Sequence, residues 1–163
     1  MSHPLAKIVV PTNERSHMNN TLTLIDTENA LGGAITAHSP VGRLADVLKN
    51  LLGDTGHLVV ATSHGPALMH VKAQMGGAAR YVYKDGRDGA ERAIEKYMND
   101  YFPVGSVARL NIVSGDHYFA ELARAHRDAG CLVTVVAPQG TLAHDLYRES
   151  SINLVLPQLV VTA

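Results

Sequence analysis

The stretch Asn111-Ile112-Val113-Ser114-Gly115-Asp116-His117-Tyr118-Phe119-Ala120-Glu121-Leu122 decides the fold. Its apolar opening stops at a small polar turn, Ser114-Gly115-Asp116, and a helical period then runs through Phe119, Leu122, Ala123, His126 and Ala129. That order reads as a strand feeding a helix. In a parallel α/β sheet such a turn lies at the carboxyl edge of the strands, where ligands bind in a common crevice. Asp116 is thereby placed where a side chain can do chemistry.

The same alternation extends in both directions. Residues 21–26 read as a first core strand, with Thr27-Glu28-Asn29-Ala30 at its end and Gly32-Gly33 as a flexible connection. Ser39-Pro40 reads as an N-cap followed by Pro at the first helical position, and Val41, Leu44, Ala45, Leu48, Leu51 and Leu52 keep helical spacing up to Gly53. A strand at 57–63, a helix at 65–75 and a strand at 79–84 follow. The stripe Ala90, Ala93, Ile94, Tyr97, Met98 and Tyr101 predicts a helix over 88–102. Strands at 107–114, 131–137 and 152–156 alternate with helices at 118–129 and 141–149, the latter opened by Thr141 as N-cap. Continuous apolar strands separated by helices imply an α/β three-layer sandwich with a mostly parallel central sheet.

The 163 residues suit one domain, placed over 21–163, preceded by an N-terminal arm or edge strand over 1–20 around Ile8-Val9-Val10. The apolar tail from Leu154 to Val161 can include an edge strand that pairs with this arm or with another subunit, which leaves a homodimer open. No apolar run reaches the length of a membrane span and no leader pattern opens the chain, so a cytoplasmic protein is expected, with no membrane partner. Fourteen Lys and Arg against fifteen Asp and Glu give a net charge of -1, which excludes the broad basic surface of a general nucleic-acid binder and leaves only a local patch. The lone Cys131 opens an apolar run and reads as a buried structural thiol.

Three carboxylates, Asp26, Asp88 and Asp116, fall where strands end or helices begin. Parallel crossovers bring such positions to one edge of the sheet, and converging carboxylates repel unless a cation joins them. Hard oxygen donors suit Mg²⁺ or Mn²⁺. Each residue has a local alternative: Asp88 stands three residues before Glu91, close to a capping-box spacing, and Asp26 and Asp116 can bond within turns. Asn29 can orient a carboxylate or touch phosphate. The nine His form no HxH or HExxH arrangement, which argues against zinc. His126 reads as a satisfied core residue, and His64 and His117 follow strand ends. Lys72, Lys84, Arg87 and Arg92 can line the same edge as a phosphate-binding surface, and Tyr118 can stack on a base or pack in the core.

Taken together, these segments resemble the NYN domains, a branch of the PIN-like nuclease superfamily. Ile25-Asp26-Thr27-Glu28-Asn29-Ala30 resembles the family's Asp-Gly-Glu-Asn segment, and Ser114 to Leu122 resembles its Ser-x-Asp-x-Asp-Phe-x-x-Leu segment. Gly86-Arg87-Asp88 resembles the Lys-Gly-x-Asp that opens its central helix, with Lys84 slightly displaced. The resemblance covers roughly residues 21–156, with its segments in the family's order. It implies a PIN-like fold and a metal-dependent ribonuclease using Mg²⁺ or Mn²⁺. In that reading Asp26, Asp88 and Asp116 hold the metal, Asn29 supports Asp26 or the scissile phosphate, and Lys84, Arg87, Ser114, His117 and Tyr118 meet RNA, single-stranded or structured.

Two positions depart from the family pattern. Tyr118 replaces the second Asp of its Asp-x-Asp pair, and Ile94 stands where an acidic residue often lies, with neighbouring Glu95 expected to face elsewhere on the helix. These losses weaken a second metal site and keep open a catalytically inactive PIN-like module that binds RNA or protein. A haloacid-dehalogenase-like phosphatase is a third reading, since Asp26, Thr62 or Ser63, Lys84 and Gly115-Asp116 crudely follow that family's motif order. Glu28 stands where that family's second Asp belongs.

Overall fold

The structure, a computed structural model, describes residues 20–159. The arm expected over 1–20 therefore lies outside the described residues except for Asn20, as does the tail beyond Leu159. Among the described residues six strands form one sheet: β1 (Thr21–Asp26), β2 (His57–Thr62), β3 (Ala79–Tyr83), β4 (Arg109–Val113), β5 (Leu132–Pro138) and β6 (Ile152–Leu156). Their order is β3-β2-β1-β4-β5-β6 and every pairing is parallel.

The strand sequences account for a sheet covered on both faces. All of β1 is buried. Its Leu22 and Leu24 join Leu110, Ile112, Val133 and Val135 in one core cluster, while Ile25 joins Val60, Val113 and Val136 in the other. This is the two-residue period of a strand. Helices α1 (Thr27–Leu31), α2 (Val41–Leu52) and α3 (Gly65–Met75) supply Ala30, Leu44, Leu48 and Val71 to the second cluster. Helices α4 (Gly89–Tyr101), α5 (Ala120–Asp128) and α6 (His144–Glu149) supply Ile94, Met98, Ala123 and Leu146 to the first. The result is the expected three-layer sandwich, with a sheet that is parallel throughout. Two buried polar side chains of the central strands are bonded: Asn111 donates to Thr23 Oγ1 at 3.0 Å, and Thr23 donates to the Thr55 carbonyl at 2.6 Å.

The chain winds outward from β1 to β3 with α1 to α3 on one face, returns to the middle through α4, which packs on β1, β2 and β3 from the other face, and then winds outward from β4 to β6 with α5 and α6 on that second face. The strand order therefore reverses between β1 and β4, and the crevice at such a reversal is where open α/β sheets bind ligands. Asp26 ends β1, and Ser114-Gly115-Asp116 follows β4.

The first strand ends at Asp26 as expected, and Thr27-Glu28-Asn29-Ala30 opens α1, because the Asp26 carboxylate caps it, accepting the Asn29 N–H. Gly32, at φ +80°, closes that short helix in the left-handed region. Ser39 does not cap α2. Its hydroxyl is taken by the Thr36 N–H at 2.9 Å, Pro40 occupies the cap position, and Gln74 of α3 reaches across to accept the Gly42 N–H at 3.1 Å. Thr141 does not cap α6 either. Its hydroxyl donates to the Pro138 carbonyl at 2.8 Å, closing a turn, and the helix starts three residues later at His144.

Candidate functional site

Asp26 lies at the carboxyl end of a central strand, 3% exposed. Ser114 donates its hydroxyl hydrogen to Asp26 Oδ2 at 3.1 Å, and the same Ser114 oxygen accepts the Asp116 N–H at 3.2 Å. Asn29 completes the brace: its backbone N–H points to Asp26 Oδ1 at 3.4 Å, and its side-chain oxygen accepts the Gly115 N–H at 2.9 Å. The ends of β1 and β4 are thus joined through side chains that also orient the two carboxylates. Gly115 has to be glycine, because a Cβ there would run into the Thr141 carbonyl. Asp116 is half-buried, and its Oδ1 accepts the Tyr118 N–H at 2.9 Å.

Sequence reasoning missed the third carboxylate of this group. Glu91, on the first turn of α4, is buried against the sheet with 8% exposure, and Asp26 and Asp116 are the charges that act on it. Burial pushes its carboxyl up to about 7, with the Asp26 and Asp116 charges and a contact with the Asp116 side chain adding to the effect. Burial likewise raises Asp26 to about 6, opposed by the bonds from Asn29 and Ser114 and reinforced by Glu28 and Asp116. Glu91 is not half of a capping box. Asp88 occupies the N-cap of α4 but makes no side-chain cap bond. Its backbone lies in the left-handed region at φ 53°, the only such non-glycine among the described residues. Its charge acts on the Tyr118 hydroxyl. The turn ahead of it is tight: a Cβ on Gly89 would strike the Lys84 carbonyl, and Gly86 N–H bonds the Ser63 carbonyl at 3.2 Å.

Glu28 turns away from the carboxylates. It accepts hydrogen bonds from Thr62 Oγ1 and from the Ser63 N–H at 3.0 Å, tying α1 to the end of β2. Tyr118 neither packs in the core nor stands free. Its hydroxyl donates to Glu95 at 2.5 Å, which pushes the phenol up to about 12. Glu95 therefore faces Tyr118. Lys84, Arg92 and Tyr118 line one open hollow of about 430 Å³ that runs along α4 from Arg92 to Asp100. Lys96 lines it too, but is paired with Asp100 at 2.6 Å. Arg87 and His117 are exposed, with His117 Nε2 4.0 Å from Asp116. Lys72 lies elsewhere, over the Tyr81 ring, and His64 faces Asp85 at 3.9 Å. His126 is buried as expected, yet its Nδ1 has no hydrogen-bond partner among the described residues, and burial lowers its pKa. Cys131 is a buried free thiol.

A hollow of about 680 Å³ lies on the surface between α2 and α3 around Arg43, Asp46, Lys49 and Gln74, away from the carboxylates. Among the described residues no helix is long and apolar enough to cross a membrane. No three His, Cys, Asp or Glu side chains among them form a ready cage for a metal ion. No protein-family model matches the chain, and no curated protein matches its sequence. Fold and site together define an α/β protein with buried carboxylates gathered at its topological switch point.

Proposed function

We propose that this protein is a metal-dependent ribonuclease of the NYN type, hydrolysing RNA phosphodiester bonds at the carboxyl edge of its sheet. The observation that carries the reading is the convergence of Asp26, Glu91 and Asp116 at the switch point, where burial raises Asp26 to about 6 and Glu91 to about 7. Such a group repels phosphate by itself. It suits a hard divalent cation, which accepts carboxylate oxygens and offsets the burial and mutual repulsion that raise their pKa values. Mg²⁺ commonly takes only one or two protein carboxylates and keeps several waters, so an incomplete protein cage is the usual setting for it.

Asp26, Asp116 and Glu91 would hold the cation, with Asp88 at the outer side toward Tyr118. Bound there, the cation supplies an activated water and neutralises charge on the phosphate. The chain's own part is positional. Ser114 and Asn29 hold Asp26 in place, and Gly115 keeps the turn close to Thr141. Lys84 and Arg92, which form no ion pair among the described residues, offer the flanking phosphates a cationic path. Water's oxygen adds to phosphorus, the bond to one bridging oxygen breaks, a proton of the water ends on that oxygen, and the two fragments leave with a phosphate monoester end and a hydroxyl end.

The test is cleavage of a mixed single-stranded and structured RNA pool with Mn²⁺, with Mg²⁺ and with EDTA. Cutting that needs metal and disappears in Asp116→Asn supports the reading; no cutting by the wild type under any condition overturns it. The Tyr118–Glu95 pair favours a second reading, an inactive module that binds RNA, because a phenol bonded to a carboxylate replaces a metal-binding position of the family. RNA retained on a filter without metal-dependent cutting would select it.

A further inference from the structure

A second hollow shares a wall with the carboxylate site. It encloses about 580 Å³ and is bounded by Asn29 and Leu31 of α1, Gln139 after β5, and Val155, Pro157 and Gln158 around the end of β6. That volume is in the range of small-ligand sites, roughly 300–1,000 Å³. None of the described residues that line it carries a charged side chain, which argues against a phosphate. Its apolar walls are broken by amides: Gln139 and Gln158 have no hydrogen-bond partner among the described residues, and the Asn29 oxygen is held by Gly115. A flat, uncharged group with hydrogen-bonding edges fits this lining. Apolar side chains cover the faces of such a group, and amides read its edge.

Asn29 fixes what that group belongs to, because the residue lines the hollow and also braces Asp26. A ligand spanning the two places has a phosphate at the carboxylates and a neutral planar ring in the hollow. We infer that this hollow is a nucleobase subsite, taking the base of a nucleotide next to the scissile phosphate and giving cleavage a base preference. The inference rests on the ribonuclease reading.

The probes are adenosine, guanosine, cytidine and uridine, which carry no phosphate, titrated into the full chain while the methyl resonances of Leu31, Val155 and Leu159 are followed by NMR. At least one nucleoside should shift them saturably. Val155→Trp, at an exposed position, should fill the hollow and weaken that binding roughly tenfold, and Gln158→Leu should narrow the differences among the four nucleosides. Val104→Trp, exposed elsewhere, should change neither. In parallel, cut sites in a random RNA pool should show a base bias at one fixed position beside the cut, flattened by Val155→Trp. Methyls unmoved by every nucleoside, or shifts equal in Val155→Trp, would overturn the subsite. RNA cut without base bias would do the same while leaving the nuclease reading intact. Nucleoside binding lost in Val155→Trp, in a protein that never cuts RNA, would keep the subsite and overturn the nuclease.

Discussion

The Asn29 side-chain oxygen accepts the Gly115 N–H at 2.9 Å, fastening the first turn of α1 to the loop after β4 across the switch point of the sheet. Two carboxylates, Asp26 and Asp116, flank that link. Asn29→Ala removes it and leaves the Gly115 N–H without its partner. On the proposed function, RNA cleavage should fall by about tenfold or more, since small misplacements of a catalytic group are costly, while circular dichroism stays that of the wild type. Undiminished cleavage in Asn29→Ala would show that the link does not position the site.

Gly115→Ala tests the tight turn itself. The added methyl meets the Thr141 carbonyl, which is backbone and cannot swing away. Overpacking of this kind destabilises by about 2 kcal/mol, read as a lower denaturation midpoint in urea. A midpoint equal to the wild type would mean that the loop relaxes without strain.

Asp26→Asn should make the metal-free protein more stable at pH 8. Burial raises Asp26 from 3.8 to about 6, so its contribution to stability is fully present below the unfolded value near 3.8 and is lost as the pH rises through 6. One pKa unit corresponds to about 1.4 kcal/mol, which places the gain on the order of 3 kcal/mol at most. Urea denaturation in EDTA should show the gain at pH 8 and little of it at pH 4. A variant less stable than the wild type at pH 8 would contradict the assignment of Asp26 as a charge held at a cost for function.

His126 shifts in the opposite direction. Burial lowers its pKa below 6.5, so its neutral form contributes stability that is present above the unfolded value and lost as the pH falls through the folded one. His126→Leu removes both this titration and the unpartnered Nδ1. The variant should therefore gain most over the wild type below pH 6. A thermal midpoint difference that does not change between pH 5 and pH 8 would contradict this.

Much of this architecture is legible in the residues alone. Apolar strands and striped helices at regular spacing predict the layered sheet, and Asp26 and Asp116 fall at strand ends on both sides of the reversal. Helix starts are less legible. Ser39 and Thr141 carry the right side chains for caps, but neighbouring turns take their hydroxyls first, and Gln74 caps α2 from another helix. Glu91 is hidden by its spacing: three residues after Asp88 it reads as a local cap, and only the packing of α4 against the sheet turns it toward Asp26 and Asp116. Its place on the buried stripe beside Ala90 and Ile94 is the signal that could have revealed it.

The most direct measurement of the central claim is calorimetric titration of Mn²⁺ into the metal-free protein at pH 7 in two buffers of different ionisation enthalpy, for the wild type and Glu91→Gln. If Asp26, Glu91 and Asp116 form one cation site, binding releases protons from Glu91 and Asp26, held at about 7 and about 6, and the measured heat differs between the buffers. Glu91→Gln should bind at least roughly tenfold more weakly and release fewer protons. Absence of Mn²⁺ binding, or binding with the same affinity and proton release in Glu91→Gln, would contradict the account.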